Sequence, residues 1–433
     1  MKSFRKVMSL VLAVLMTFSV ATVAFAAEDT AVKAKDDVTG FTQEDMLETK
    51  GTNIVNQKGE KIRLKGANLG AWLVREDWLN PDHIPEEVLA KEKYDGEMVY
   101  DKLTERFGKD KAQELLEIFY ENWITEWDLD NIKALGFNCV RVPFWYRNFY
   151  YDDKGDKILD ENGEWDFSIL DWVVEECSKR ELYVILDMHG AVGSQSDAPH
   201  SGRGFEGYQL YEKSERGEKY RELTIELWKA IASRFNGNPA VAMYDLLNEP
   251  MCDVQCSEIE RRINNEWMYG LLYDAVREVD NDHIITMEAI WTALALPHPE
   301  LKGWKNVVYQ VHFYNNSDFI FTFFCLLTKL YFPTVPMLMG EFYPHKKTTW
   351  KNSFKTMENL NFSWMLWTYK ATGHGMWSSD WCMYGAKDGF WRANIYTDSY
   401  EQIAEAWSAE RLNTQTGFQD TGHYAKNVQQ WLG

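Results

Sequence analysis

Basic charge is scarce in this chain: 46 lysines and arginines face 66 aspartates and glutamates, for a net charge of −20. Such an excess of acid disfavours nucleic acid and anionic lipid as partners and is compatible with a neutral polymer such as a glycan. Cysteine is scarce too. Six in 433 residues do not make a disulfide scaffold, and Cys139, Cys177 and Cys325 fall inside apolar strand or helix patterns, where reduced core thiols are expected. Cys252 and Cys256 share one loop and could form a disulfide or hold a metal, but no His or Asp stands in register with them. No G-x-G-x-x-G follows the first strand-like run and no His-x-His lies on it, which argues against a dinucleotide-binding sheet and against a metallohydrolase. Neither cofactor nor metal is expected.

Two long apolar runs carry different meanings. Val7 to Phe25 follows Lys2, Arg5 and Lys6 and ends in Ala24-Phe25-Ala26, the pattern of a secretory signal peptide over residues 1–26, too short and wrongly flanked for a membrane span. Its removal deepens the net charge to −23 and predicts a secreted protein, extracellular or cell-surface associated, with no stable membrane insertion. The second run, Phe319 to Phe332, is expected as a buried helix of the fold. Residues 27–50 are acidic with little apolar periodicity and read as a flexible N-terminal segment. Residues 51–433 read as one domain without internal repeats.

Aromatic side chains are abundant: 15% of residues are Phe, Trp or Tyr, 19 of them Trp. Sugars present flat C–H faces, and an indole offers a matching platform with an N–H at its edge. Candidate platforms are Trp72, Trp145, Trp291, Trp377 and Trp381, although most tryptophans are expected in the core. Eight strand-like runs stand out: Ile62 to Leu69, Cys139 to Pro143, Tyr183 to His189, Val241 to Glu249, Ile284 to Glu288, Val307 to Tyr314, Met337 to Phe342 and Phe362 to Tyr369. Segments with helical periodicity alternate with them, among them Glu126 to Leu135, Ser168 to Lys179, Glu218 to Arg234, Glu258 to Val279 and Trp350 to Leu360. Alternation predicts a parallel sheet, and eight units predict an α/β fold closed as a (β/α)8 TIM barrel. An extra helical insertion, Pro81 to Asn122, follows the first strand and holds helix-like pieces at Glu86 to Phe107 and Asp110 to Tyr120.

In such barrels the carboxyl ends of the strands carry the chemistry, and here those ends are polar. Strand two carries Arg141, strand three ends in Asp187-Met188-His189-Gly190, strand four in Asn248-Glu249, and strand six in His312 and Tyr314. Glu341 ends strand seven and Trp367 strand eight. Glu249 and Glu341 stand 92 residues apart, about three strand-helix units of roughly 31 residues in a ~250-residue barrel. Two glutamates facing one mouth suit cleavage of a glycosidic bond with retention, one as acid and one as nucleophile, the carboxyls ~5–5.5 Å apart. Burial and a neighbouring negative charge keep the acid protonated. A cation such as Arg141 and the Tyr314 hydroxyl keep the nucleophile ionised, and Asn248 is placed to bond a sugar 2-hydroxyl. Singly, each residue has a plain structural role: Arg141 a partner for a buried Asp, His189 or His312 a core histidine, Glu249 a helix first-turn acid. Together they fall on strand ends, which independent structural residues would not do.

These residues resemble the pattern of glycoside hydrolase family 5, the cellulase-like retaining (β/α)8 hydrolases: Arg141, His189, Asn248-Glu249-Pro250, His312-Phe313-Tyr314, Gly340-Glu341-Phe342 and Trp367. The resemblance implies Glu249 as acid/base, Glu341 as nucleophile, and Arg141, His189, Asn248, His312, Tyr314 and Trp367 around the cleaved sugar. Within that family the chain is most similar to the exo-1,3-β-glucanase-like branch, through Lys65-Gly66-Ala67-Asn68-Leu69-Gly70-Ala71-Trp72-Leu73, Trp123-Ile124-Thr125-Glu126-Trp127-Asp128 and Asp187-Met188-His189-Gly190-Ala191-Val192-Gly193-Ser194-Gln195. There a glutamate after the first strand contacts the non-reducing sugar, and Glu76 matches it, although Arg75, Asp77 and the loop Ser196 to Tyr208 depart from the branch. The expected partner is a β-glucan poly- or oligosaccharide, 1,3- or 1,4-linked. The same chemistry on mannan, xyloglucan or a glucosyl lipid, and a non-catalytic carbohydrate-binding barrel, are the alternatives. Linkage, endo or exo action, and oligomeric state depend on loops and surfaces that the pattern does not specify.

Overall fold

The computed structural model describes residues 40–432 apart from 92–93, 205–206, 252–256, 289–294, 315–316, 345–346 and 374–381. The expected signal peptide, the Cys252 and Cys256 pair, and Trp291, Trp377 and Trp381 lie outside the described residues.

Eight parallel strands close into a barrel: β1 (Lys65–Asn68), β2 (Cys139–Trp145), β3 (Tyr183–Gly190), β4 (Val241–Asp245), β5 (Ile284–Glu288), β6 (Val307–Phe313), β7 (Met337–Phe342) and β8 (Phe362–Leu366). Each pairs with its sequence neighbours, and β8 returns to β1. The strands read as continuously apolar because both faces are covered. Outward residues such as Val140, Val142, Phe144, Val184, Leu186, Ile285 and Val311 join the large core between barrel and helices. Inward residues divide by height. Leu64, Cys139, Ile185, Met243, Ile284, Val308, Leu338 and Met365 make an apolar lower layer, whereas Asn68, Arg141, Asp187, Asp245, Glu288, Gln310, His312 and Glu341 make a buried polar layer towards the carboxyl ends. Cys139, Cys177 and Cys325 are buried free thiols, as the sequence pattern predicts, and Cys382 is buried as well.

Residues 40–50 depart from the flexible segment expected over 27–50. Leu47–Lys50 pairs antiparallel with Asn53–Asn56, which pairs in turn with Lys61–Ile62. Leu47 and Ile54 enter the apolar layer inside the barrel, Phe41 stacks on Tyr183 with ring centroids 4.2 Å apart, and the Tyr183 hydroxyl donates to Asp45 O at 2.9 Å. A barrel floor is apolar and must be covered, and two inward side chains on a short hairpin do so without any long periodic pattern.

The helices α1 (Gly96–Phe107) and α2 (Lys109–Trp123) form most of the insertion; the expected piece from Glu86 to Phe107 is split into a short turn, Glu86–Leu89, and α1, which Asp95 caps by accepting the Met98 N–H. The helices α3 (Glu126–Ala134), α4 (Ser168–Lys179), α5 (Glu215–Phe235), α6 (Glu258–Arg277), α7 (Asp318–Tyr331) and α8 (Lys347–Leu360) surround the barrel. The run Phe319 to Phe332 departs from the buried helix expected of it. Phe321, Cys325 and Thr328 of α7 face inward, but Phe319, Ile320, Phe323, Leu326, Leu327 and Leu330 are exposed. Composition sets how apolar a helix is; the neighbours decide how much of it is covered, and α7 is apolar on more sides than its neighbours cover.

The hairpin's role in the floor predicts that Ile54→Ala loses about 2–4 kcal/mol of stability through the cavity it leaves, measured by urea unfolding. A loss below about 0.5 kcal/mol, the range of ordinary surface changes, would place the hairpin outside the core.

Candidate active site

Arg141 sits at the centre of the polar layer, its side chain wholly buried. Its Nε donates to Asp245 Oδ2 at 2.9 Å. Nη1 donates to Asn68 Oδ1 at 3.0 Å and to Glu341 Oε1 at 2.9 Å. Nη2 donates to Asn248 Oδ1 at 2.9 Å and stands 3.1 Å from Asp187 Oδ2. A buried guanidinium is costly unless its fork is filled, and here every N–H direction meets an acceptor, the five being carried by β1, β3, β7 and, for Asp245 and Asn248, β4 and the residues just beyond it. Burial pushes Asp187 and Asp245 up to about 7, with Arg141 pulling the other way.

From Arg141 the orientations propagate. Asn248 turns its oxygen to Arg141, so its Nδ2–H faces His189 Nε2 at 3.2 Å. That nitrogen is therefore the acceptor, and His189 Nδ1–H donates to Asp187 Oδ2 at 2.6 Å. Burial holds His189 neutral, its pKa lowered to about 3. Trp367 lies flat against the His189 ring, 5.4 Å between centroids and 8° between planes.

The two predicted glutamates occupy different surroundings. Glu341 meets Arg141 on Oε1 and the Tyr314 hydroxyl, which donates at 2.7 Å, on Oε2. Burial raises its pKa, and Arg141, His189 and the Tyr314 hydrogen bond oppose the rise. The residue before it, Gly340, has no substitute: an added Cβ would fall 1.6 Å from Gln310 Oε1, and Gln310 donates to Asp245 at 2.7 Å. Glu249 lies past the end of β4, with a positive φ of 40° just before Pro250. Its Oε1 accepts from His312 Nδ1 at 2.9 Å, and His200 Nε2 stands 3.4 Å from its Oε2. Burial holds both imidazoles neutral, that of His200 at about 3. The same His312 nitrogen lies 3.5 Å from Glu341 Oε2.

A third glutamate stands beneath this pair. Glu288, at the end of β5, accepts the Glu249 N–H at 2.6 Å and approaches His312 Nδ1 to 3.2 Å. Burial, then the charge of Glu249, raises its pKa well above the carboxylate range. Glu249, Glu288 and His312 are also the one carboxylate and histidine group among the described residues compact enough to hold a metal ion; each already has a hydrogen-bonding or ionic neighbour within the site.

Glu76, Trp78, His189, His200, Asn248, Glu249, Tyr314, Glu341 and Trp367 line one cavity of about 200 Å³, and Arg141 and His312 support it from below. All nine sequence-predicted site residues thus converge. His200, Trp78 and Glu288 were missed. Glu288 was legible by the rule that found the other two, a glutamate ending an apolar run, while His200 sits in the loop after β3 where no pattern marks it. That loop is pinned from two sides. Gln195 donates to the carbonyls of His189 and Asn248, each at 2.8 Å, and the start of α1 holds it through Glu97 N–H to Gly202 O at 2.9 Å and Glu97 to Arg203 at 3.0 Å. Trp72 and Trp145 are corrected from platforms to core. Both are fully buried, the first donating to Tyr120 O at 2.9 Å, the second packed under Gly190 and Gly202. A larger cavity, about 370 Å³ between α1, α2 and the loop after β2, is lined by mixed charge and shares none of these residues.

The family described as Cellulase (glycosyl hydrolase family 5) matches residues 107–373. A beta-xylosidase of Phanerodontia chrysosporium is 30% identical over 277 residues, 63% of this chain and 52% of that protein. A glucan 1,3-beta-glucosidase of Candida oleophila is 29% identical over 192 residues, 44% of this chain and 43% of that protein. The chain spans about half the length of these curated relatives. Among solved structures, rutinosidase from Aspergillus niger superposes with a TM-score of 0.55 at 16% identity, over 74% of this chain and 95% of that one. An endogalactoceramidase gives 0.52 at 16% identity, over 84% of each chain. These structures share the barrel.

Glu76, whose Oε2 accepts from Trp78 Nε1 at 3.1 Å, has its pKa raised from 4.5 to about 8 by burial and the charge of Glu341. Folded protein keeps the proton between those values and unfolded chain releases it, so stability falls as pH rises through that window. Glu76→Gln removes this loss. Its stability relative to wild type should improve by on the order of 5 kcal/mol between pH ~4.5 and pH ~8 in urea unfolding, at about 1.4 kcal/mol per pH unit; a pH-independent difference would contradict the shift.

Proposed function

The chain belongs to glycosyl hydrolase family 5, and we propose that it is a retaining β-glycosidase that hydrolyses a β-linked glucan by double displacement. The observation that carries this reading is the shared nitrogen of His312, 2.9 Å from one glutamate and 3.5 Å from the other. Those two oxygens are therefore no more than about 6.4 Å apart, below the ~6.5–9.5 Å that inverting enzymes need for an intervening water.

Glu341 is the nucleophile. Arg141 and Tyr314 hold its two oxygens and stabilise its anion. In the first step it attacks the anomeric carbon while Glu249 gives a proton to the departing oxygen, forming a covalent glycosyl-enzyme. In the second, Glu249 takes a proton from water, which displaces Glu341 and returns the sugar with its original configuration. Asn248, its amide oriented by Arg141, donates to the sugar 2-hydroxyl, a bond that strengthens as the oxocarbenium-like transition state develops. Trp367, lying against His189, forms the cavity wall for an apolar sugar face, His189 and His312 position their neighbours as neutral imidazoles, and Glu76 bonds a sugar hydroxyl. The signal-peptide pattern of residues 1–26 supports export, where a polysaccharide would be met.

Turnover of laminari-, cello- and gentio-oligosaccharides, with the first product's anomer followed by NMR, tests the assignment. Glu249→Gln should lose about 10²–10⁴-fold in kcat/KM on oligosaccharides and far less in kcat/KM on an aryl glucoside whose leaving group needs no proton, its kcat falling because water still needs the base, with the β-anomer formed first by the wild type. Near-normal turnover by a folded Glu341→Gln variant, or an α-anomer first, would overturn it; sugar binding without any wild-type turnover would favour the non-catalytic barrel.

A further inference from the structure

Outside the pocket, the least expected surface is α7. Phe319, Ile320, Phe323, Leu326, Leu327 and Leu330 are all exposed, Phe319 by 77% and Leu330 by 68%. Their spacing of three, four, seven and eight residues places them on one helix face, a stripe about 16 Å long at 1.5 Å per residue. Phe319 and Phe323 stack within it, 6.1 Å between centroids. Allowing roughly 200 Å² for a fully exposed large apolar side chain, the stripe presents on the order of 600 Å², the upper end of what an ordinary monomer exposes.

The stripe begins beside the chemistry. Tyr314, which holds Glu341, precedes α7 by a few residues, and Ser317 caps the helix at the carboxyl end of β6. On one flank α8 packs through Asn352, which donates to Asp318 O and Thr322 Oγ1 at 3.1 Å each, and the neighbouring Lys351 and Lys355 are exposed. Asp318 is the sole acid on α7. Glu358 of α8 is turned away to Arg63 and Lys65. On this flank two exposed lysines therefore stand beside the stripe, with Asp318 at its start as the acid of α7.

We propose that α7 seats the protein on the surface of a lipid bilayer, its apolar stripe lying in the plane of the interface with Lys351 and Lys355 at headgroup level. A helix of this kind, apolar on one face and flanked by lysine, gains from burial at the headgroup boundary and from anionic lipid. A second copy of the chain fits less well, because a stable interface covers about 800 Å² per partner, more than this single ridge offers. The seat brings the pocket's end of the barrel close to the lipid, and suits a substrate displayed there. It goes beyond the glycosidase reading and does not require it, since binding is measured apart from turnover.

The test is flotation of the full chain with vesicles of phosphatidylcholine, alone or mixed with phosphatidylglycerol. Wild type should float with both and more completely with the mixture. Phe319→Ser/Phe323→Ser/Leu330→Ser, which alters only exposed positions, should weaken binding roughly tenfold or more while turning over a soluble aryl glucoside as wild type does. Lys351→Gln/Lys355→Gln should lose only the gain from phosphatidylglycerol. No flotation of wild type would overturn the proposal. So would flotation that survives the triple substitution and disappears on deleting residues 1–26, or a solution dimer that the triple substitution converts to monomer.

Discussion

Arg141 is the interaction on which the rest of the site depends. One buried guanidinium ties Asn68 of β1, Asp187 of β3, Asp245 of β4, Asn248 beyond it and Glu341 of β7. An unmatched buried charge is destabilising by about 3–5 kcal/mol, so the barrel must close in a register that delivers all five acceptors. Closure of the fold and assembly of the site are in this sense one event. The guanidinium also fixes which end of the Asn248 amide faces the cavity, and through it the tautomer of His189.

The same centre separates the two glutamates chemically. Glu341 shares a hydrogen-bonded cation and a phenol, whereas Glu249 has neutral imidazoles on its oxygens and the carboxyl of Glu288 at its backbone N–H. Glu249 adopts a left-handed backbone conformation that a non-glycine residue holds only when its surroundings require it. Glu288 from below, Gln195 from the loop after β3 and Pro250 after it supply that requirement.

Much of this was legible in the sequence, for reasons that also explain what was not. Strands buried on both faces appear as unbroken apolar runs, so all eight could be placed, and the rule that function sits at strand ends then selected Arg141, His189, Glu249, His312, Glu341 and Trp367. The rule failed where a group reaches the cavity from a loop, as His200 and Trp78 do, because loop geometry leaves no period. It failed at residues 40–50 because two inward side chains are enough to close a barrel floor and too few to make a pattern. It failed at Phe319 to Phe332 because apolar composition reports affinity for an apolar environment and says nothing about which environment is present. Trp72 and Trp145 show the converse: a tryptophan near a site is more often packing than platform.

The central claim, that Arg141 and Tyr314 present Glu341 as the attacking group, is tested most directly by trapping the intermediate. A 2-deoxy-2-fluoroglucoside with a reactive leaving group slows both steps but the second far more, so the sugar accumulates on the nucleophile and peptide mass spectrometry locates it. The account predicts a single adduct on the peptide bearing Glu341. An adduct on Glu249 or Glu288, or turnover of the reagent with no adduct on any residue, would contradict it.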